Sequence, residues 1–176
     1  MQEIEVKILE IDVGAVRKTL LGLSAKKILD DQLSYVILDD KEQSLFKEKK
    51  LLRVRKSKSE AHLCFKSKAK KGKLREAEET EVKIDNYEDT IKILKELGFI
   101  TKHKGKKHRE SYKLGKVRYE IDTMPGIPTF LEIEADNEKD LIQGIKKVGF
   151  KLEDVTTMNG HDIIEHYRNH KKAKND

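Results

Sequence analysis

The sequence predicts an α+β fold in which one antiparallel sheet carries most of the chain and helices are inserted between its strands. Three observations lead there. Charged and aliphatic residues alternate with period two in ten segments, which is the period of a strand with one apolar face. Three other segments switch to a period near 3.6 and open on a capping residue. Several strand candidates are joined by short glycine- or lysine-rich turns, as in hairpins, and not by the long crossovers of a parallel sheet.

Taken in order, the first strand is expected at 2–9, in "QEIEVKI". A helix follows over 13–23, capped by Asp12, with Val13, Val16, Leu20 and Leu23 on one side. Strands are predicted at 24–30, 33–38, 51–57, 61–68 and 75–84, the last two turning through "KAKKGK". The second helix spans 86–99, with Asn86 as its cap, Tyr87, Ile91, Leu94 and Leu97 as its apolar stripe and Gly98 as its stop. Strands at 99–103, 107–114, 116–123 and 129–136 follow, with a hairpin at Leu114-Gly115. The third helix, 137–150, repeats the design with Asn137, Leu141, Ile145, Val148 and Gly149. Its "VGF" ending matches the earlier "LGF", which predicts two similar exits from helix to strand. "GHDIIEHY" belongs to a C-terminal helix. One domain over 1–170 and a polar tail at 171–176 complete the layout.

Composition narrows the function. Of 176 residues 40% are charged and only 6% aromatic, so the core is aliphatic and modest. The net charge of +6 comes from 38 basic and 32 acidic residues, a dense mixture of signs and not the one-signed stripe of a nucleic-acid binder. "KAKKGK" and "KHKGKKHR" are expected as solvated turns adding positive potential. The single cysteine, Cys64, excludes an internal disulfide and a cysteine-rich zinc site, and it is expected to fill space beside Lys66. The six histidines show no H-E-x-x-H spacing, and His161 and His166 are expected on the surface of the last helix. No secretory leader and no run of about 20 apolar residues is present, so a cytoplasmic protein without membrane spans is expected.

The charged faces carry the functional signal. Glu3, Glu5 and Lys7 share one side of the first strand; Arg53 pairs with Arg55, Glu79 with Glu81, Lys107 with Arg109, and Glu132 with Glu134. Arg118, Glu120 and Asp122 share a face opposite Val117, Tyr119 and Ile121. Any one such strand is ordinarily a solvated outer wall. Like charges spaced two apart repel unless something of opposite sign compensates them, and here the pattern recurs on six strands. Turned inward around a lumen, these faces suit a polyphosphate with divalent metal: guanidinium and ammonium groups take phosphate oxygens, while carboxylates take a hard cation.

Those residues also carry a resemblance. "EIEVKI" is similar to the Glu-x-Glu-x-Lys signature of the CYTH family of triphosphate tunnel metalloenzymes, which groups class IV adenylyl cyclases, thiamine triphosphatases and inorganic triphosphatases. The similarity extends over roughly residues 2–150, through Arg53-x-Arg55, "CFK", "ETEV", "KKHRESY" and "YEIDTMPGIPTFLEIE". It implies an eight-stranded antiparallel β-barrel, a triphosphate tunnel with flanking helices. It also implies that Lys7, Arg53, Arg55, Lys66, Lys107 and Arg109 grip the triphosphate. Glu3, Glu5, Asp122, Glu132 and Glu134 would hold Mg²⁺ or Mn²⁺, with Glu79 and Glu81 completing the acidic set. Glu3, Glu5 and Lys7 are the expected catalytic group. The expected partner is a triphosphate-bearing small molecule such as ATP, tripolyphosphate or thiamine triphosphate, with no nucleic acid or membrane, and a homodimer as the candidate assembly. Hydrolysis of the triphosphate, cyclisation of ATP to cyclic AMP and pyrophosphate, and binding without turnover all fit one such lumen.

Overall fold

Alternation along Ile4, Val6 and Ile8 buries one side of β1 (Gln2–Ile8) and sets the plan for the whole sheet. The computed structural model describes residues 2–67, 70–71 and 75–172. Helix α1 (Val13–Gly22) leads to β2 (Lys26–Asp39), the short α2 (Ser44–Lys47), β3 (Leu51–Lys56) and β4 (Ala61–Lys66). The two-residue β5 (Lys70–Lys71), β6 (Arg75–Ile84), α3 (Tyr87–Glu96) and β7 (Ile100–Leu114) follow. Then come β8 (Val117–Thr123), β9 (Phe130–Ala135), α4 (Glu138–Lys147) and α5 (Gly160–Lys172). Eight principal strands form one curled antiparallel sheet in the order β1-β9-β8-β7-β2-β3-β4-β6, with β5 on β6. Strand β1 also pairs with β6, Ile4 facing Glu76.

The hydrophobic core lies on the outer side of this sheet. Ile4, Val6 and Ile8 of β1, Val117, Tyr119 and Ile121 of β8, and Leu131 and Ile133 of β9 pack against Val16 and Leu20 of α1 and Leu141, Ile145 and Val148 of α4. A second cluster sets Val36, Leu38, Leu52 and Val54 of β2 and β3 against Tyr87, Ile91 and Leu94 of α3. Helix α4 comes close because residue 144 is glycine: a Cβ there would stand 2.8 Å from Val117 Cγ1, and the Tyr119 hydroxyl donates to the Gly144 carbonyl at 3.1 Å. With apolar side chains turned outward into helices, strand pleating turns the alternate, charged side chains inward.

The three predicted helices form, each with its expected N-cap: Asp12, Asn86 and Asn137 accept from the backbone N–H groups of Ala15, Asp89 and Asp140. Several expectations need correction. The segments 24–30 and 33–38 are one strand, β2, and 99–103 and 107–114 are one strand, β7; the polar Asp31-Gln32 and Lys104-Gly105-Lys106 interrupt the apolar alternation where the strands pair without a break. "KHKGKKHR" is therefore strand and not a turn. Leu97, placed on the apolar stripe of α3, is 70% exposed. Gly98 and Gly149 both take positive φ at their helix ends, but only the first exit enters a strand; after Gly149 the chain is irregular until Thr156 bridges Lys7. Helix α5 runs through Lys172, past the expected start of the tail. Part of "KAKKGK" lies outside the described residues. Among the described residues no helix is long and apolar enough to cross a membrane.

Candidate functional site

A cavity of about 1180 Å³ occupies the concave side of the sheet. Every candidate phosphate-gripping residue lines it: Lys7, Arg53, Arg55, Lys66, Lys107 and Arg109. So do the candidate acids Glu5, Glu79, Glu81, Asp122, Glu132 and Glu134. Glu3 lies on β1 opposite Ala77, and its side chain lies outside the described residues. The structure adds Glu120 and Arg118 of β8. Both were visible on the charged face of "VRYEID", but the motif that carries the family resemblance marks Asp122 alone. Tyr35, His103 and residues of α2 and α5 complete the wall, among them His161, which was expected to serve only the surface.

The inward charges are interleaved across strands. Lys7 Nζ bonds Glu5 Oε1 and Glu132 Oε2, both at 2.9 Å, the second across the β1–β9 pair where Lys7 and Glu132 are direct partners. Lys66 reaches Glu5 at 3.5 Å and also pairs with Glu79. Arg55 holds Glu81 at 2.8 Å, and Arg118 holds Glu134 at 2.9 Å. Arg109 grips Asp122 with two N–H groups, Nε to Oδ1 at 2.6 Å and Nη2 to Oδ2 at 2.5 Å. It also pairs with Glu120 and approaches Glu132 at 3.6 Å, while Lys107 adds a bond to Asp122 at 2.7 Å. Charges this deep persist only when paired, and here most cations and carboxylates satisfy one another around the cavity. Arg53 Nε and Glu81 Oε2 are buried without a hydrogen-bond partner among the described residues.

That pairing shifts the titrations. Burial alone would lower the Lys7 ammonium, but Glu132 and Glu5 hold it above its usual value. Lys107 goes the other way, to about 8, because burial and the adjacent Arg109 outweigh Asp122. Burial would raise Glu132 and Asp122, yet Lys7 and Arg109 around the first, and Arg109 and Lys107 around the second, hold both below the ordinary carboxylate range. Glu134, two residues along β9, is raised by burial and by the charge of Glu132, which Arg118 only partly offsets. Two neighbouring carboxyls pushed in opposite directions suit proton transfer at one and fixed charge at the other.

Among the described residues, two groups of ligand atoms could hold a cation. Carboxylate oxygens of Glu120, Glu132 and Glu134 lie within 4.8 Å of one another. This is an all-oxygen set of the kind Mg²⁺ or Mn²⁺ takes, so the residues present fit such a metal. The second group is Cys64, Glu79 and Glu81. Cys64 is buried and donates to Glu79 Oε1 at 2.9 Å, and burial pushes its thiol up to about 12. It is a buried residue that hydrogen-bonds an acid beside Lys66, more than mere filler.

Comparison with known proteins agrees with this geometry. A putative adenylate cyclase of Methanocaldococcus jannaschii is 29% identical over 146 residues, 81% of this chain and 83% of its own. A Pyrococcus horikoshii structure superposes with a TM-score of 0.76 at 27% identity, covering 92% of this chain and 98% of that one. A Hippeastrum protein, described as a putative adenylyl cyclase with a dominant triphosphatase activity, shares the fold at a TM-score of 0.63 and 19% identity, over 84% of this chain and 88% of that one. The CYTH domain profile matches residues 1–161, and the chain belongs to the CYTH family.

Proposed function

We propose that the protein is a divalent-metal-dependent enzyme that binds a triphosphate in this cavity and hydrolyses it. The observation that carries the reading is the inward wall itself, where Lys7, Arg53, Arg55, Lys66, Lys107 and Arg109 interleave with carboxylates over buried surface. The pairing of β1 with both β9 and β6 supports a closed eight-stranded tunnel within a single domain spanning about residues 1–170. In the resting wall Lys7, Arg55, Lys66, Lys107 and Arg109 each hold a carboxylate. Arg53 donates to Cys64 Sγ at 3.8 Å, stands 3.9 Å from Glu79 and keeps a buried Nε without a hydrogen-bond partner among the described residues. When a triphosphate enters, those cations turn to its oxygens, Arg109 and Arg53 offering two N–H groups each. The released carboxylates then need a positive partner. Glu120, Glu132 and Glu134 would hold Mg²⁺ or Mn²⁺, with Glu5, Asp122, Glu79 and Glu81 as the other acids lining the cavity. A bound metal supplies charge neutralisation of the phosphoryl oxygens and acidifies water. The carboxylates of this set would also orient the attacking water. Lys7 and Arg109 stabilise charge developing on the non-bridging oxygens.

A second reading is cyclisation, in which the ribose 3′-oxygen of ATP attacks the α-phosphorus. The name of the methanogen relative and the size of the cavity favour it. Purified protein with Mg²⁺ or Mn²⁺, offered ATP, tripolyphosphate and thiamine triphosphate, separates the two. Orthophosphate release is expected for hydrolysis, cyclic AMP with pyrophosphate for cyclisation. Glu5→Gln should lower either rate at least 100-fold with the fold retained. Absence of turnover on all three substrates with both metals would leave a binding protein and overturn the enzyme assignment.

A further inference from the structure

The cavity rim carries a second kind of chemistry that phosphate binding does not explain. Strand β2 ends on two acids that build α2: Asp39 Oδ1 accepts from the backbone N–H groups of Asp40 at 2.8 Å and Leu45 at 3.0 Å, Asp39 Oδ2 from Phe46 at 2.9 Å, and Asp40 Oδ1 from Ser44 at 2.8 Å. Asp39 is buried, so this turn is anchored. It holds Phe46 at the rim, where the ring remains 58% exposed. An exposed phenylalanine on a surface is unremarkable by itself. This one lines the cavity and meets the His161 ring of α5 edge-on, with centroids 5.5 Å apart and planes at 65°. His161 is itself set by Asn159, whose side-chain oxygen accepts from the backbone N–H groups of His161 at 2.8 Å and Asp162 at 3.0 Å. Two short turns far apart in sequence thus hold two aromatic rings at the edge of the charged wall.

We propose that Phe46 and His161 are specificity-determining residues that bind the base of a nucleoside triphosphate. The inference rests on the reading of the cavity as a triphosphate site. Three observations lead to a nucleoside. The cavity of about 1180 Å³ exceeds the roughly 300–1,000 Å³ of ordinary small-molecule sites, leaving space beyond the phosphates. An exposed aromatic face binds any nucleobase by stacking, whichever base it is. The rim charge bears on which flat ring fits: Lys47, Lys49, Lys102 and Arg168 line the same cavity against Asp39, Asp162 and Glu165, Lys50 is paired with Glu48 at 2.5 Å, and Asp162 also accepts from Asn159 N at 3.2 Å. The small net positive charge left favours a neutral base over a thiazolium cation.

The test compares binding of the β,γ-imido analogue of ATP, thiamine triphosphate and tripolyphosphate, each with Mg²⁺, by calorimetry on the intact protein. Phe46→Ala should weaken the ATP analogue by roughly 5- to 100-fold and change tripolyphosphate by less than about twofold. Phe46→Trp should restore or tighten the analogue, and His161→Ala should weaken it alone. Asp39→Asn, which unhooks α2, should reproduce the Phe46→Ala pattern. Equal losses for the analogue and tripolyphosphate, or no loss for either, would overturn the assignment. So would tighter binding of thiamine triphosphate than of the ATP analogue. Because these are binding measurements, lack of turnover on any substrate would count against the hydrolysis reading and leave this one to be judged on affinities.

Discussion

Arg109 is the residue whose loss the inner wall should tolerate least. Its guanidinium is 6% exposed and serves Asp122, Glu120 and Glu132, and Asp122 is itself 1% exposed. Removing one member of a buried ionic group leaves the others charged in a poor solvent, at a cost of about 3–5 kcal/mol. Arg109→Met is therefore expected to lower unfolding stability by that amount in urea titrations. Arg109→Met combined with Asp122→Leu should recover part of it, since the worst unpaired acid is then gone. A single variant as stable as the parent would mean that the acids find other partners. At this scale the sequence was informative where alternation and family motif coincided, as at Lys7, Arg109 and Glu132. Glu120 escaped because only alternation pointed to it; its proximity to Glu132 and Glu134 depends on β8 lying beside β9, with Glu120 and Glu132 as direct cross-strand partners. No local pattern specifies which strands become neighbours.

Among the elements, α1 is tied to the sheet by a polar anchor as well as by Val16 and Leu20. Glu110 of β7, 5% exposed, receives Arg17 through Nε at 3.1 Å and Nη2 at 2.6 Å, Lys27 at 3.0 Å and the Tyr112 hydroxyl at 2.8 Å. Arg17, with burial opposing and Lys27 assisting, brings the Glu110 carboxyl down to about 2 from an ordinary 4.5. A carboxylate held lower in the folded than in the unfolded chain stabilises fully above the unfolded value, and that contribution is lost as pH falls through the folded one. Discounted because the Arg17 side chain is 42% exposed, the contribution is about 2 kcal/mol near neutrality. Glu110→Gln should be less stable than the parent by that margin at pH 7, with the gap narrowing as pH falls from about 4.5 towards 2. Denaturant midpoints measured across this range check the sign; a gap independent of pH would point to packing alone. The helices were legible through their caps and apolar stripes. Strands β2 and β7 were read as two pieces each because Asp30, Asp31 and Gln32, and then Lys104, Gly105 and Lys106, interrupt the apolar alternation within continuous pairing. Helix α2 left no periodic trace: it is four residues long and exists because Asp39 and Asp40 satisfy its first N–H groups.

Across the whole molecule, the placement of the core outside the sheet makes the interior available for charge. An ordinary small domain buries its apolar faces centrally and solvates its charges; here α1, α3 and α4 take the apolar faces from outside, and the concave side of the curled sheet is stabilised by mutual pairing of acids and bases. Apart from Arg53 Nε and Glu81 Oε2, which are buried without a hydrogen-bond partner among the described residues, this wall is paired without a guest. A polyanion alone must therefore break existing pairs to enter, whereas a polyanion with a divalent cation replaces both partners at once. Binding should therefore stabilise the fold chiefly when metal and triphosphate are present together. At a ligand concentration about 100 times Kd, linkage contributes about 2.7 kcal/mol, which for a chain of this length raises Tm by roughly 5–10 °C. Thermal scans with tripolyphosphate and Mg²⁺ should show that rise, and tripolyphosphate with a chelator only a small part of it. Glu120→Gln should lose the metal-dependent part while keeping the metal-free part, because the cations proposed to grip phosphate are untouched. An equal rise with and without metal would show that the carboxylates keep their lysine and arginine partners when the guest is bound, and that the exchange of partners does not take place.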